Sequence, residues 1–201
     1  ETLYGKTIQA LYEIVRKGVF PRGQGRARTL DIVPEYQDYV AGNVRLARPV
    51  KLVIDAGNGT GGVVAAPLFE KLGAGVTALF CEPDGRFPNH HPDPTLPEAM
   101  DKLVAEVKAT GAELGIAYDG DADRIGVVDD AGRIIWGDQL LILFARDILP
   151  GRPGAAVISE VKASKVLYDE IARLGGRPIM WRTGHSLIKK KIKEENAPLA
   201  G

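Results

Sequence analysis

The chain of 201 residues has a single cysteine, Cys81, and so forms no disulfide within itself; one lone thiol also suits a reducing compartment. It has no excess of either charge, because 26 Lys and Arg residues face 26 Asp and Glu residues. That balance removes the general electrostatic attraction to nucleic acid or anionic lipid, which needs clustered cations. Long apolar runs are missing as well. The longest, near Leu140 to Ala145, falls far short of the ~20 residues that span a bilayer, and no signal-like apolar segment follows the amino terminus. What remains is a globular composition, 45% hydrophobic and 26% charged, too apolar for disorder. The expectation is a soluble, cytoplasmic protein with no nucleic-acid and no membrane partner. At about 100–200 residues per domain, the length allows one large domain or two small ones.

Both ends read as interior to a longer polypeptide. The first residue is Glu1 rather than Met, and Thr7 to Lys17 forms an amphipathic helical pattern that nothing precedes. The last residue, Gly201, follows the start of an apolar segment at Ala197, Leu199 and Ala200.

Ile8, Leu11, Tyr12, Ile14 and Val15 repeat at helical spacing, with Gly18 placed to end the helix. Residues 18–29 are rich in Gly and Arg and read as a solvated connector; Pro34 to Asn43 forms a short helix. From Val50 onward strands and helices alternate. Val50 to Ala56 is a strand, Val63 to Leu72 a helix, Gly75 to Phe80 a strand, Glu98 to Thr110 a helix and Glu113 to Tyr118 a strand. Asp129-Asp130-Ala131-Gly132 is a hairpin signature between Ile125–Val128 and Arg133–Ile135. Asp138 is placed to cap a helix running to Leu149, and Pro150-Gly151-Arg152-Pro153-Gly154 marks a boundary. The cycle then restarts: strand Ala155–Ser159, helix Ser164–Leu174, strand Arg177–Trp181, helix Gly184–Asn196. This alternation defines an α/β fold, a mixed but mostly parallel sheet sandwiched by helices. The reading divides it into a tail and linker at 1–30, one complete domain at 31–150, and at 151–201 the incomplete start of a similar domain with two strands.

Four segments carry candidate chemistry. Asp119-Gly120-Asp121-Ala122-Asp123-Arg124 follows the strand 114–118 directly. In extended backbone, residues two apart point to one side, which gathers Asp119, Asp121 and Asp123 around one point. Three such carboxylates repel unless a hard divalent cation compensates, and Arg124 adds a forked cation suited to a phosphate beside the metal. An EF-hand loop also opens with acids at alternate positions, but its sixth-position glycine is here Arg124 and its flanks read as strands. Second, Gly57, Gly59 and Gly62 satisfy G-x-G-x-x-G, with Glu82 ending the next strand. That spacing belongs to a dinucleotide fingerprint and gives the alternative reading, an NAD-binding dehydrogenase-like domain; a tight strand-to-helix turn wants glycine with or without a ligand.

Third, the Pro-rich loop from Glu82 to Pro94 contains adjacent His90 and His91 with acids nearby. Successive side chains in an extended loop diverge, so a rigid loop whose His and Asp groups bind backbone or each other is preferred to a metal site. Fourth, Arg182-Thr183-Gly184-His185-Ser186 lies where a strand gives way to a helix. The free amides of that helix start favour an anion, which His185 can contact; a helix-capping histidine is the competing explanation. Lys162 lies at the same sheet edge, while Lys189, Lys190, Lys191 and Lys193 read as a solvated face.

In combination these segments resemble the α-D-phosphohexomutase family, in its bacterial phosphomannomutase/phosphoglucomutase form. The resemblance rests on Asp119 to Arg124, similar to the family's D-G-D-G-D-R metal loop, on D-A-G-N-G at Asp55–Gly59, on F-P-N-H-H-P-D-P at Phe87–Pro94 and on W-R-T-G-H-S-L-I-K-K-K at Trp181–Lys191. One departure is Ala122, where many relatives have glycine. The family has four domains around one cleft. By resemblance, 1–30 is the end of domain one, 31–150 is domain two with the magnesium loop, and 151–201 begins the sugar-recognition domain. The phosphoserine and phosphate-binding domains would be missing partners from the same polypeptide. The resemblance implies reversible phosphoryl transfer between O1 and O6 of mannose or glucose phosphates, through a bisphosphorylated sugar and an enzyme phosphoserine. It further implies Mg²⁺ on Asp119, Asp121 and Asp123 and a catalytic Arg124. Lys162, Thr183, Gly184 and His185 would contact the phosphosugar, with His185 also able to transfer a proton. A chain without the phosphoserine would be inactive alone.

Overall fold

The computed structural model describes residue 3 and residues 5–201, so the expectations for positions 1, 2 and 4 lie outside the described residues. The chain divides into two compact units, Leu30–Gly137 and Asp138–Gly201, the residues before Leu30 being grouped with the second. Before both lies α1 (Lys6–Lys17), ended by Gly18 in the left-handed region with its N–H on the Ile14 and Val15 carbonyls. None of its residues is buried, and 19–32 form neither helix nor strand.

The unit 30–137 contains α2 (Val33–Asn43), β1 (Lys51–Asp55), α3 (Ala65–Lys71), β2 (Gly75–Leu79), α4 (Pro97–Thr110), β3 (Leu114–Tyr118), β4 (Ile125–Asp129) and β5 (Ile134–Ile135). Its five strands lie in the order β2-β1-β3-β4-β5. The first three are parallel; β4 and β5 run antiparallel, as the hairpin signature requires. The central strand β1 has side chains on alternate faces. Val53 therefore packs with Met100, Leu103 and Val107 of α4, while its neighbour Ile54 packs with Ala65 and Ala66 of α3. Proline at the first turn starts α4 and Gly111 ends it, its N–H on the Val107 carbonyl. The expected helix from Val63 is in fact a 3-10 turn at Thr60–Val63 followed by the shorter α3.

The unit 138–201 contains α5 (Gly137–Ile148), β6 (Ala156–Glu160), α6 (Lys165–Arg173), β7 (Arg177–Trp181), α7 (His185–Glu195) and β8 (Leu199–Ala200). Its sheet has three strands, all parallel, in the order β7-β6-β8, rather than the two expected. The apolar segment at Leu199–Ala200 supplies the third. The same alternation recurs: Val157 packs with α5 and α6, and Ile158 with Ile188 and Ile192 of α7.

The structure also corrects the boundary placed at Pro150. Leu141, Ile142, Ala145 and Leu149 form one core with Val157, Leu167 and Ile171. An amphipathic helix goes with whatever buries its apolar stripe, so α5 belongs to the second unit and the division falls at 137/138. Asp138 lies inside the first turn of α5; its carboxylate accepts the N–H of Gln139 and, across to the start of α6, that of Ser164.

Candidate functional site

Parallel strands bring the loops after β1, β2 and β3 to one edge, because Asp55 lies in register with both Leu79 and Ala117. That carboxyl edge is where open α/β sheets bind ligands. At it, one carboxylate oxygen each from Asp119, Asp121 and Asp123 lies within 4.8 Å of the others, as the alternate spacing predicts. Asp119 is buried and the other two exposed. Asp119 Oδ1 accepts the N–H groups of Asp123 and Arg124, both at 2.9 Å, and Oδ2 accepts Arg124 Nε at 2.8 Å. Burial pushes the Asp119 carboxyl up, but the hydrogen bonds and charge of Arg124, with the Asp123 amide, hold it below its ordinary value. It is therefore a carboxylate at neutral pH, and an all-oxygen set of three carboxylates suits a hard cation such as Mg²⁺. The loop joins two antiparallel strands, not two helices, which excludes the EF-hand.

Arg124 reaches a second acid that the sequence did not single out for this site. Its NH1 donates to Asp93 Oδ1 at 3.0 Å, and Asp93 is further held by the N–H and hydroxyl of Thr95. The Asp93 carboxyl is pushed up by burial, yet Thr95 and Arg124 bring it below the usual range. The guanidinium is thus fixed between two carboxylates. Upstream in the same loop, His90 meets the buried Asp55, and His91 contributes only its carbonyl to that contact. The reading of a braced loop whose His and Asp groups bind backbone and each other matches these contacts.

The glycines of 57–62 serve packing. A Cβ on Gly62 would stand 2.1 Å from the Cys81 carbonyl oxygen, and one on Gly59 would stand 2.7 Å from that of Gly120. The amides of Gly57, Asn58, Gly59, Thr60 and Gly62 all donate within the chain, to Asp55, Phe80, Ala56, Gly120 and Gly59. A pyrophosphate cradle needs such donors open.

In the second unit, Lys162, Thr183 and His185 lie exposed past the ends of β6 and β7. Glu160, at the end of β6, ties two of them together. Thr183 Oγ1 donates to its Oε2 at 2.6 Å, and Lys162 Nζ lies 3.2 Å from its Oε1. Gly184 has φ 132°, a value side chains rarely adopt, and turns the chain into α7, whose first residue is His185. The sequence does not single out Glu160: Lys162 is two residues away, but Thr183 lies 23 residues along the chain, too far for spacing to reveal. Lys191 is not part of a solvated face: it stacks 4.5 Å over the Trp181 ring and pairs with Glu195 at 2.6 Å.

Fold and site together define an α/β protein with three carboxylates gathered at the carboxyl edge of its sheet, a set that could hold a cation. Residues 34–132 match the family model of phosphoglucomutase/phosphomannomutase alpha/beta/alpha domain II, and residues 136–201 match that of domain III. The chain belongs to the phosphoglucomutase/phosphomannomutase family. It is 51% identical over 201 residues to a phosphomannomutase/phosphoglucomutase of Pseudomonas aeruginosa, covering 100% of this chain and 43% of that protein. To a phosphoglucomutase of Neisseria gonorrhoeae it is 49% identical over 203 residues, with 100% and 44% covered. A crystal structure of a family protein from Burkholderia thailandensis superposes with a TM-score of 0.93 at 47% identity, covering 99% of this chain and 43% of that one. The chain thus spans less than half the length of these relatives. Family membership overturns the dinucleotide-binding alternative, in agreement with the packing role of Gly59 and Gly62. Among the described residues, no helix is long and apolar enough to cross a membrane.

Proposed function

We propose that the chain is the cation-holding and sugar-contacting portion of a cytoplasmic phosphohexomutase. The reaction is reversible transfer of a phosphoryl group between O1 and O6 of mannose or glucose phosphate, through a bisphosphorylated sugar. The observation that carries this reading is the convergence of Asp119, Asp121 and Asp123 within 4.8 Å beside Arg124, in a chain whose relatives bear the name phosphomannomutase/phosphoglucomutase. Bound by these three carboxylates, Mg²⁺ would supply positive charge at the oxygens of the phosphoryl group in transfer. Arg124, pinned by Asp119 and Asp93, presents a fixed guanidinium to that phosphate, so little reorganisation accompanies the charge movement. Lys162, the Thr183 hydroxyl, the Gly184 backbone and the His185 ring would hold the phosphosugar, and His185 would be the lesser candidate for exchanging a proton with a sugar hydroxyl. The phosphoserine nucleophile and the phosphate-binding domain come, on this reading, from other parts of the same polypeptide, with 1–30 the tail of the first domain.

Calorimetric titration with Mg²⁺ or Mn²⁺ tests the metal centre. Asp121→Asn removes one charged ligand with little change in shape and is expected to weaken binding at least tenfold. Equal affinity in both chains would refute the assignment. A coupled assay on glucose 1-phosphate and mannose 1-phosphate is expected to show no turnover by the 201 residues alone; measurable turnover would overturn the assignment of the nucleophile to another segment.

A further inference from the structure

Asp55 is 1% exposed, and the D-A-G-N-G turn alone gives no reason to bury a carboxylate there. Its Oδ1 accepts the Gly57 N–H at 2.8 Å, and both its oxygens lie 3.1 Å from His90 Nε2. The other ring nitrogen, Nδ1, lies 3.0 Å from the His91 carbonyl. Both ring nitrogens are therefore engaged, Nδ1 by a backbone carbonyl and Nε2 by the Asp55 carboxyl. The ring also meets Phe80 in a T-shaped contact, with centroids 5.5 Å apart. His90 is thus fixed by a strand end, its own loop and the end of β2.

From His90 the connection runs to the metal loop. Next to His91 stands Pro92, whose Cβ would lie 2.9 Å from any Cβ on Gly57, and then Asp93, which grips Arg124. Asn89 Nδ2 adds a hydrogen bond of 2.7 Å to Asn58 Oδ1. Thr60 N donates to the Gly120 carbonyl at 3.0 Å, so the turn also touches the metal loop directly.

We propose that the Asp55–His90 pair is a positioning device for the cation loop: by clasping the loop 81–96 to the end of β1 it holds Asp93 where it can fix Arg124 against Asp119. The hydrogen bonds of the Asp55 and His90 side chains described above go to each other, to Gly57 and to His91. Their influence passes through Asp93, and only the metal readout of the following test rests on the proposed metal centre.

The reporter is solvent exchange of the Arg124 Nε–H, followed by NMR and assigned with Arg124→Lys. Gln at 90 places its amide nitrogen near the position of imidazole Nε2 and keeps the contact to Asp55; Asn places its amide near Nδ1 and loses it. His90→Gln is expected to exchange within twofold of wild type, and His90→Asn at least fivefold faster. Asp93→Ala is expected to accelerate exchange too, and the double variant His90→Asn/Asp93→Ala to be no faster than Asp93→Ala alone, because the two act in series. Wild-type exchange in His90→Asn, or effects that multiply in the double variant, would overturn the proposal. Should His90→Asn fail to fold, folded His90→Gln decides: fast Arg124 exchange in it refutes the clasp. In parallel, Mn²⁺ affinity is expected to fall three- to tenfold in His90→Asn and to recover in His90→Gln. If wild type binds no Mn²⁺, the metal assignment fails while the Arg124 measurement still decides the clasp.

Discussion

Ala122 has φ 60°, inside the left-handed region, at the position where D-G-D-G-D-R loops have glycine. A Cβ there costs roughly 1–2 kcal/mol through its clash with the following carbonyl. Glycine would remove that cost and give back about 0.4–1 kcal/mol in unfolded-chain entropy. Ala122→Gly is therefore expected to raise stability by about 0.5–1 kcal/mol, read as a higher urea midpoint at unchanged slope. A lower midpoint would show that the methyl group is held by packing worth more than its backbone cost. That Ala122 is small could be read from the sequence; that it occupies a strained conformation could not, because a residue's φ is set by the loop that Asp119 closes with its two amide hydrogen bonds. The same limit applies to Asp93 and Glu160. Each is an ordinary acid locally, and each acquires its role from a partner 31 or 23 residues away.

Elements with strong local signals lay where the pattern put them. Alternating polarity and terminal glycine place α4 and β3 within a residue of their observed bounds, and three acids at i, i+2 and i+4 after a buried strand do converge. Elements defined by tertiary packing did not follow local pattern: β8 has two residues and exists because β6 offers an open edge, and α5 was assigned to the wrong side of the proline run. At this scale the acid stability of the second unit turns on α6. Glu170 bonds Arg173 within its own helix and Arg146 of α5, and these two hydrogen bonds bring its pKa down from 4.5 to about 2. A depressed native pKa means that the unfolded chain takes up the proton first. The contribution is full above about pH 4.5 and is lost as pH falls toward 2. Glu195, lowered by hydrogen bonds from Lys191 and Arg177, acts in the same direction. Glu170→Gln is expected to flatten the fall in urea midpoint between pH 5 and pH 2.5 without altering the midpoint's behaviour above pH 6. An equally steep acid limb in the variant would place the sensitivity elsewhere. The group is exposed enough that salt should shrink the effect.

At the scale of the whole molecule, the division at 137/138 makes a claim that trimming the chain can test. The unit 30–137 has a five-stranded sheet with helices on both faces, its two core clusters built around Val53 and Ile54. Neither cluster includes a residue of α5. That helix buries Leu141, Ile142 and Leu149 against Val157, Leu167 and Ile171, and full burial of such side chains contributes about 1.5–3 kcal/mol each. A chain ending at Pro150 would carry this apolar face without β6 and α6 to cover it, and uncovered faces of that kind drive association. Residues 30–137 are therefore expected to be monomeric and to unfold in one cooperative transition. Residues 30–150 are expected to bind a hydrophobic dye and self-associate, with no gain in urea midpoint. If instead 30–150 stayed monomeric and exceeded 30–137 in stability, α5 would have a second home on the first sheet, and the proline run would be the true boundary. The trimmed unit 30–137 retains Asp55, His90, Asp93 and the loop of Asp119, Asp121 and Asp123, so on the proposed function its Mn²⁺ affinity is expected to equal that of the full chain. A loss of affinity on trimming would mean that the cation site draws on the second unit.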